Sequence, residues 1–229
     1  MSGGVGEGIG AVDLTRTYRE GGREVAALRD VTLSIPAGQF WVVRGPSGSG
    51  KTTLLGLLGG VIVPTRGQVR IAGEEVTHLR DRHRARLRRE KIGLTFQRAA
   101  LIEGMTVLEN ALLPFVPGGG GNRAERERAL GLLRRFGLEE LAERRVERLS
   151  GGEQQRAAMV RALVREPEVL LLDEPTAHVD AQTSGWILDL LADCRDQGRT
   201  ILVATHDPAV EAHTGVDRVI ELRYGALSG

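Results

Sequence analysis

Apolar and polar positions divide the chain into strand-like segments of two kinds. Residues 12–17 and 25–35 alternate apolar with polar side chains, the period-two pattern of strands that bury one face. Continuous apolar runs stand at residues 40–43, 169–172 and 200–204, and such runs are typical of parallel strands buried on both faces. We therefore predict an antiparallel sheet near the N-terminus and a buried parallel sheet built from distant segments.

Helical patterns separate these strands. Shorter strand candidates lie at residues 69–72 and 92–96, and the order strand, helix, strand, helix implies an α/β core. The predicted helices cover residues 50–59, 80–90, 106–113, 124–136, 152–165 and 180–196. Ser150 is a good N-cap for the helix that follows it.

The arrangement of these segments predicts one domain with two lobes. The core lobe covers residues 11–97 and 167–229, and a mainly helical lobe is inserted at residues 98–166. Residues 1–10 are glycine-rich, which predicts a flexible tail.

Composition removes several classes of function. The formal net charge of +1 gives no general attraction to nucleic acid or to an acidic membrane surface. Cys194 is the only cysteine, so no internal disulfide forms. The longest apolar run, residues 54–63, is much shorter than the roughly 20 residues that a membrane-spanning helix needs. We therefore expect a chain that does not cross a membrane.

A glycine-rich loop follows the apolar run at residues 40–43. Its sequence, Gly-Pro-Ser-Gly-Ser-Gly-Lys-Thr at residues 45–52, fits the G-x-x-x-x-G-K-[ST] pattern of phosphate loops. Glycines let backbone amides approach a triphosphate, Lys51 fits between the β- and γ-phosphates, and the Thr52 hydroxyl suits magnesium. A simple Gly-Ser turn before a helix is the alternative. The predicted nucleotide contacts are Gly45, Pro46, Ser47, Gly48, Ser49, Gly50, Lys51, Thr52 and Thr53.

Two adjacent carboxylates end the apolar run at residues 169–172. Asp173 is placed to hold magnesium, usually through water, as in other phosphate-loop ATPases. Glu174 is the second acid of the pair. A pair of acids in a solvated turn is the alternative for this position.

Between the glycine loop and these acids lies the run Leu-Ser-Gly-Gly-Glu-Gln-Gln-Arg at residues 149–156. With this run the chain resembles the ATP-binding cassette (ABC) ATPases over residues 18–207, with every motif in the expected order. The resemblance implies a phosphate-loop ATPase fold with an antiparallel β subdomain and an inserted α-helical subdomain. It also implies ATP and Mg2+ as ligands, ATP hydrolysis as the reaction, and Glu174 as the base that polarises the attacking water.

Three further site residues follow from the same resemblance. Gln97, after the predicted strand at residues 92–96, matches the glutamine that senses magnesium and the attacking water. It would complete a metal set with Thr52 and Asp173. His206 matches the histidine that contacts the γ-phosphate, and Tyr18 the aromatic residue that stacks on adenine. A surface glutamine and a half-buried strand tyrosine remain the structural alternatives.

The Ser-Gly-Gly segment places a hydroxyl and bare backbone at a helix N-terminus, which suits a phosphate. In the ABC ATPases this segment completes its site on the phosphate loop of an opposite subunit, which implies an ATP-dependent head-to-tail homodimer. His178 and Val179 depart from the residues that are commoner before the family's aspartate. The residues predicted to act between subunits are Ser150, Gly151, Gly152 and Asp180.

Stretches at residues 57–60, 84–93 and 105–110 resemble the ATPases of lipoprotein release, macrolide export and cell division. These ATPases imply a separate integral membrane permease as partner and a peripheral location on the cytoplasmic face of the cell membrane. We expect docking through residues 97–115, with apolar contacts from Phe96, Leu101, Ile102 and Met105.

Other functions stay open at this point. A soluble ABC ATPase of iron–sulfur assembly, or a cell-division type that signals without transport, would share the motifs above. A DNA-repair type would need a long coiled-coil or zinc insertion, for which the chain has neither heptads nor cysteine pairs. Residues 80–89 are rich in arginine, and we interpret them mainly as a solvated helix face, with no nucleic acid expected as partner.

Overall fold

The computed structural model describes residues 7–228 as a mixed α/β structure with two sheets. The strands are β1 (Glu7–Glu20), β2 (Arg23–Pro36), β3 (Phe40–Arg44), β4 (Arg66–Ile71), β5 (Glu74–Glu75), β6 (Ile92–Thr95), β7 (Val169–Asp173), β8 (Thr200–Thr205), β9 (Arg218–Arg223) and β10 (Ala226–Ser228). The helices are α1 (Lys51–Leu58), α2 (Asp81–Lys91), α3 (Val107–Leu112), α4 (Arg123–Arg135), α5 (Gly151–Leu163), α6 (Ala181–Asp196) and α7 (Pro208–Glu211). Short 3₁₀ turns occupy Leu113–Gly118, Glu139–Leu141 and Val146–Arg148.

The smaller sheet is antiparallel, as the alternating pattern predicts, with the order β2-β1-β4-β5. Its first strand starts earlier than expected. Ile9 pairs with Ile35 on one side and Ile71 on the other, and it is fully buried. The prediction of a flexible tail over residues 1–10 is therefore wrong for residues 7–10, because a buried strand residue with two partners is held in place. Residues 1–6 of that predicted tail lie outside the described residues.

The larger sheet has the order β10-β9-β3-β8-β7-β6 and is parallel except for β10. Side chains of its central strands alternate between two hydrophobic clusters. Val42 packs with the helical lobe on one face, whereas Trp41 and Val43 pack with α1 and the antiparallel sheet on the other. Both faces are covered, so these strands need apolar residues at every position. The predicted α/β class is confirmed by this arrangement.

The β9–β10 hairpin is absent from the sequence prediction. Most of the side chains of β9 are exposed or half-buried, and Leu222 is its buried residue. A strand that buries so little carries no continuous apolar run to detect.

Within residues 7–228, no helix combines the length and apolar character needed to span a membrane.

Candidate active site

The phosphate loop and the predicted catalytic acids meet at one edge of the larger sheet. The phosphate loop follows β3, Asp173 ends β7, and Thr205 ends β8 immediately before His206. These three strands are parallel neighbours, so their carboxyl ends lie at the same edge. This edge is the usual ligand-binding position in open α/β sheets.

The phosphate loop is clamped between β2 and the β9–β10 hairpin. A Cβ on Gly45 would lie 2.2 Å from the carbonyl oxygen of Leu222, and one on Gly50 would lie 2.6 Å from that of Ala27. Gly50 also has a φ of 107°, which other residues rarely adopt. From the hairpin, the Gly225 amide donates to the Ser49 carbonyl at 3.0 Å. Glycine is therefore required for close packing of the loop as well as for its turn.

Lys51 holds a positive charge inside this loop. Its side chain is buried, with 8% of the residue exposed, and Nζ donates to the carbonyl oxygens of Gly45 at 2.6 Å and Pro46 at 3.2 Å. Ser49 Oγ is buried beside it and has no hydrogen-bond partner within residues 7–228. Among residues 7–228 no carboxylate forms an ion pair with Lys51, and a buried ammonium group beside an unsatisfied hydroxyl fits an anionic ligand in this loop.

Thr52 and Asp173 bring two oxygen donors together. The Thr52 hydroxyl donates to Asp173 Oδ2 at 2.6 Å. Burial raises the pKa of Asp173, while the hydrogen bond from Thr52 and the charge of Lys51 oppose this shift. A hydroxyl and a carboxylate suit a hard cation such as Mg2+. The backbone of Gln97 forms a hydrogen bond with the same carboxylate, whereas the residue itself is exposed.

Glu174 is held by the end of the neighbouring strand β8. Its Oε2 accepts from the Thr205 hydroxyl at 2.8 Å, and its Oε1 lies 2.6 Å from His206 Nδ1. The residue has a φ of 49°, a left-handed conformation that is uncommon outside glycine and that concentrates at functional sites. Thr205 was not predicted as a site residue, and its position at a strand end next to His206 is the signal that could have identified it.

The hydrogen bond between Glu174 and His206 defines where the ring carries its proton. An ionised carboxylate only accepts hydrogen bonds, so Nδ1 of His206 must be the donor. The His206 side chain is 73% exposed, and Nε2 remains for another partner. This second nitrogen donates as well only when the ring is an imidazolium.

Tyr18 lies in the strand pair next to the phosphate loop. It is half-buried on β1 and pairs with Val25, two residues before the Ala27 that contacts Gly50. The guanidinium carbon of Arg16 lies 4.6 Å from the centre of the Tyr18 ring. A flat cation already stacks on this ring, so the structure is compatible with both the adenine contact and the structural alternative.

Ser150 begins α5 as predicted, in a reciprocal capping arrangement. Its hydroxyl accepts from the Glu153 amide at 3.3 Å, and the Glu153 carboxylate accepts from the Ser150 amide at 2.7 Å. Ser150 and Gly151 are exposed. Gly152 is buried, and its backbone packs so closely that an added Cβ would lie 3.0 Å from the His178 carbonyl oxygen. The Ser-Gly-Gly segment thus packs on the loop at His178 of its own chain.

A cavity of about 640 Å³ lies beside this segment. It is lined by Gln97, Gly151 and His178 among others, and the lining within the described chain includes no residue of the phosphate loop. Asp180 stands at the exposed N-terminus of α6, where it accepts from the Thr183 amide at 2.9 Å. That hydrogen bond lowers the pKa of Asp180. Within one chain, Ser150 and Asp180 are therefore helix caps.

The apolar docking surface differs from the prediction. Phe96, Leu101 and Met105 are half-buried, and Leu101 packs against the core of the helical lobe. Ile102 is 49% exposed and Val116 is 61% exposed. Of the four residues predicted to offer a docking surface, only Ile102 is therefore largely exposed, and Leu101 is covered because it packs on the core of the helical lobe.

A phosphate loop and a buried carboxylate pair at the carboxyl edge of a parallel sheet define a nucleoside-triphosphate-binding fold. The chain belongs to the ABC transporter family, whose sequence profile matches residues 28–177. The predicted fold class and the predicted family, the ABC-type ATPases, are confirmed.

Two relatives show how far the likeness extends. The chain is 44% identical over 215 residues to the macrolide export ATP-binding/permease protein MacB of Hyphomonas neptunium, which covers 94% of this chain but only 33% of that protein. It is 40% identical over 222 residues to the lipoprotein-releasing system ATP-binding protein LolD 1 of Caulobacter vibrioides, covering 96% of this chain and 94% of that protein. The chain therefore spans about a third of its MacB relatives and nearly all of LolD 1.

A solved structure has the same fold. The ATP-binding cassette MJ0796, in a dimeric post-hydrolysis state bound to ADP and Pi, matches with a TM-score of 0.91 at 38% identity. The match covers 96% of this chain and 97% of that chain.

Proposed function

We propose that the chain binds ATP with Mg2+, hydrolyses it as a homodimer, and thereby powers a separate membrane permease of the lipoprotein-release or macrolide-export type. The observation that carries this proposal is the meeting of Lys51, Asp173 and Glu174 at one sheet edge, each buried and each held by named partners. Through the permease, the chain would be located at the cytoplasmic face of the cell membrane.

Lys51 and the first amides of α1 would hold the phosphates. The ammonium group now donates to two carbonyl oxygens, and phosphate oxygens are stronger, charged acceptors for the same donor. The free amides at the start of α1 add the positive end of the helix dipole. The adenine would stack on the Tyr18 ring and replace the guanidinium group of Arg16 there.

Thr52, Asp173 and the side chain of Gln97 would hold Mg2+. When bound, the ion neutralises charge that develops on the phosphates. The Asp173 carboxyl must be ionised for this role, and Lys51 and Thr52 favour the ionised form against the effect of burial.

Glu174 would accept a proton from the attacking water as a general base. Thr205 and His206 each contact one oxygen of the Glu174 carboxylate, which orients the group. As an imidazolium, His206 would donate to Glu174 from Nδ1 and to a γ-phosphate oxygen from Nε2. One ring would then link the base to the phosphate that is cleaved.

The Ser150–Gly152 segment and Asp180 would complete the site of a second copy. Gly152 packs on the His178 loop of its own chain, whereas Ser150 and Gly151 are exposed and accessible to another molecule. The dimeric form of MJ0796 supports a homodimer.

Glu174→Gln tests the hydrolytic mechanism. The amide keeps the shape and the hydrogen bonds of the side chain but removes the basic charge, so we expect hydrolysis to slow by about 10²- to 10⁴-fold while ATP still binds. Steady-state phosphate release and nucleotide affinity are the measurements. Glu140→Gln, at an exposed glutamate in a 3₁₀ turn, is the matched control that should retain full activity. Equal hydrolysis by Glu174→Gln and the parent would remove Glu174 from the mechanism.

Co-purification from membranes tests the permease. The parent should recover an integral membrane protein, and Ile102→Asp should weaken recovery because it places a charge on an exposed apolar side chain without disturbing the core. The control is Glu103→Gln, which changes an exposed side chain next to Ile102 and should be recovered with the same partner as the parent. Thr106→Ala is not a suitable control, because Thr106 caps α3. Recovery of soluble partners alone would favour the iron–sulfur alternative.

A further inference from the structure

A pocket lined by arginines lies at the end of α1 that is opposite the phosphate loop. We call it the arginine pocket, and it has a volume of about 600 Å³. Its lining includes Arg82, Arg84 and Arg88, all from α2. Gly60 and Val61, which follow α1, line it as well, whereas the phosphate loop precedes α1. The arginine pocket is therefore separate from the proposed ATP site.

Two of these arginines hold their charge in a half-buried position. The Arg84 side chain is 15% exposed, and it donates to the Leu79 carbonyl oxygen at 3.2 Å. Arg88 donates to the Gly60 carbonyl oxygen at 2.7 Å. A carbonyl satisfies a donor but leaves the positive charge uncompensated. Burial and the neighbouring charge of Arg84 correspondingly lower the pKa of Arg88. Two like charges are thus held close together in a partly desolvated place.

The negative charge in the pocket is too small to balance the arginines. Within the described chain, Asp81 is the one carboxylate in the lining, and it pairs with Arg84. Arg82 is exposed and has no hydrogen-bond or ion-pair partner within residues 7–228. Three cations therefore face one carboxylate. A guanidinium group has five donors, so most of them remain for an anion that enters the pocket.

From these observations we propose that the arginine pocket binds a phosphate group, as an anion site outside the phosphate loop. A phosphate group combines up to about two negative charges with several strong acceptor oxygens, and planar guanidinium groups match its geometry. A single carboxylate would leave one of the positive charges in excess unbalanced. This site goes beyond the proposed function, and its test requires neither ATP nor a permease.

The surroundings of the pocket favour the headgroup of an anionic phospholipid as the source of this phosphate. Val61 in the lining is 49% exposed, and Val63, two residues further along the chain, is 43% exposed. Basic side chains attract anionic headgroups, and apolar side chains beside them enter the membrane interface. A nucleic-acid backbone fits less well, because it is bound by basic side chains along an extended surface and not by one pocket.

The arginine pocket also changes the interpretation of residues 80–89 as a solvated helix face. Arg82 and Arg86 are exposed, as that interpretation expects. Arg84 and Arg88 are half-buried, because they point to carbonyl oxygens of the turns before α2 and after α1. The solvated-face interpretation therefore holds for one part of the helix surface and is corrected for the part that lines the pocket.

Vesicle flotation tests the phospholipid source. We expect the chain to bind vesicles of phosphatidylcholine and phosphatidylglycerol in equal parts, and not vesicles of phosphatidylcholine alone. Arg82→Gln should weaken this binding by about fivefold, the contribution of one basic side chain at an anionic surface. Arg86→Gln removes the same charge from an exposed position on α2 outside the pocket, and it should weaken binding by less than about twofold because salt screens distant charges. Both variants should unfold in denaturant as the parent does.

Titration with glycerol 3-phosphate tests a soluble source of the phosphate. Arg82→Gln should bind it about fivefold more weakly than the parent, whereas phosphate that enters the phosphate loop would not respond to this substitution. Binding of glycerol 3-phosphate that depends on Arg82, without binding to vesicles, would support the site with a soluble phosphate compound as its ligand.

Three results would overturn the proposal. The first is equal loss of vesicle binding in Arg82→Gln and Arg86→Gln, which would assign the binding to the whole basic helix. The second is that neither vesicles nor glycerol 3-phosphate bind in a way that depends on Arg82. The third is displacement of the vesicles by a DNA duplex, which would assign the pocket to nucleic acid. The proposed ATP hydrolysis stands in each case, because the pocket is separate from the phosphate loop.

Discussion

The two parts of the proposed ATP site are built in opposite ways. On the core lobe, Lys51, Asp173 and Glu174 are buried and held by hydrogen bonds from several strands and loops. On the helical side, Ser150 is exposed, and its hydroxyl and amide are both satisfied by Glu153 at the start of its own helix.

The core-lobe part of the site is therefore formed when one chain folds, whereas the Ser-Gly-Gly part is proposed to act only with a second copy. Burying charged groups is costly without partners, so the core-lobe residues have their geometry imposed by the fold. The Ser-Gly-Gly segment is stable without any ligand, because local capping supplies its hydrogen bonds. Ser150 and Gly151 are exposed there, which fits the proposed contact of this segment with a second copy.

The largest difference between the two parts of the site should appear in the stability of glycine variants. Gly50→Ala forces a left-handed residue and a Cβ 2.6 Å from a backbone oxygen, so we expect a loss of about 2–5 kcal/mol in the free energy of unfolding. Gly151→Ala meets its nearest neighbour, His178 Cβ, at 3.6 Å, and its stability should change by less than about 1 kcal/mol. Chemical denaturation measures both. Similar losses in the two variants would contradict the contrast between a packed and an open part.

Base stacking should give the next largest effect. Tyr18→Ala should weaken ATP binding by about 1–2 kcal/mol, the range for stacking on an aromatic ring. Tyr18→Phe keeps the ring and should bind as the parent does. Calorimetric titration of the three proteins with ATP is the measurement. An unchanged affinity in Tyr18→Ala would assign the ring to its structural contact with Arg16 alone.

Substitutions at Ser150 separate its cap from its proposed phosphate contact. Ser150→Ala removes the cap and should lower the free energy of unfolding by about 1 kcal/mol. Ser150→Asp preserves the cap, because aspartate is as good an N-cap as serine, but it places a negative charge where the γ-phosphate is expected. We therefore expect Ser150→Asp to unfold like the parent in denaturant and yet to lose ATP hydrolysis. Normal hydrolysis in Ser150→Asp would leave the residue with a capping role only.

The sequence predicts those parts of the molecule that depend on short continuous patterns. The strands that feed the site bury both faces, so the apolar runs before Arg44, Asp173 and Thr205 are visible in the sequence. The phosphate loop and the adjacent acids are visible because their chemistry restricts the residue types at fixed spacing.

Features that depend on tertiary packing were missed. Leu222 and Gly225 clamp the phosphate loop, but they lie in a mostly exposed hairpin with no strong periodicity. Leu101 was expected on the surface, and it is half-buried because the chain folds back over the helical lobe. Arg88 and Arg161 share a groove although more than 70 residues separate them in the sequence. Local sequence patterns contain no information on contacts between residues that are distant in the sequence.

The shared-site mechanism is tested most directly by the mass of Glu174→Gln in solution. Light scattering with ATP and Mg2+ should show a dimer, because the γ-phosphate is bound and is no longer removed. Without nucleotide the same variant should be a monomer. Lys51→Ala should remain monomeric under both conditions, because it lacks the buried cation that we propose as the phosphate ligand. A Glu174→Gln protein that binds ATP at saturation and remains a monomer would contradict the account.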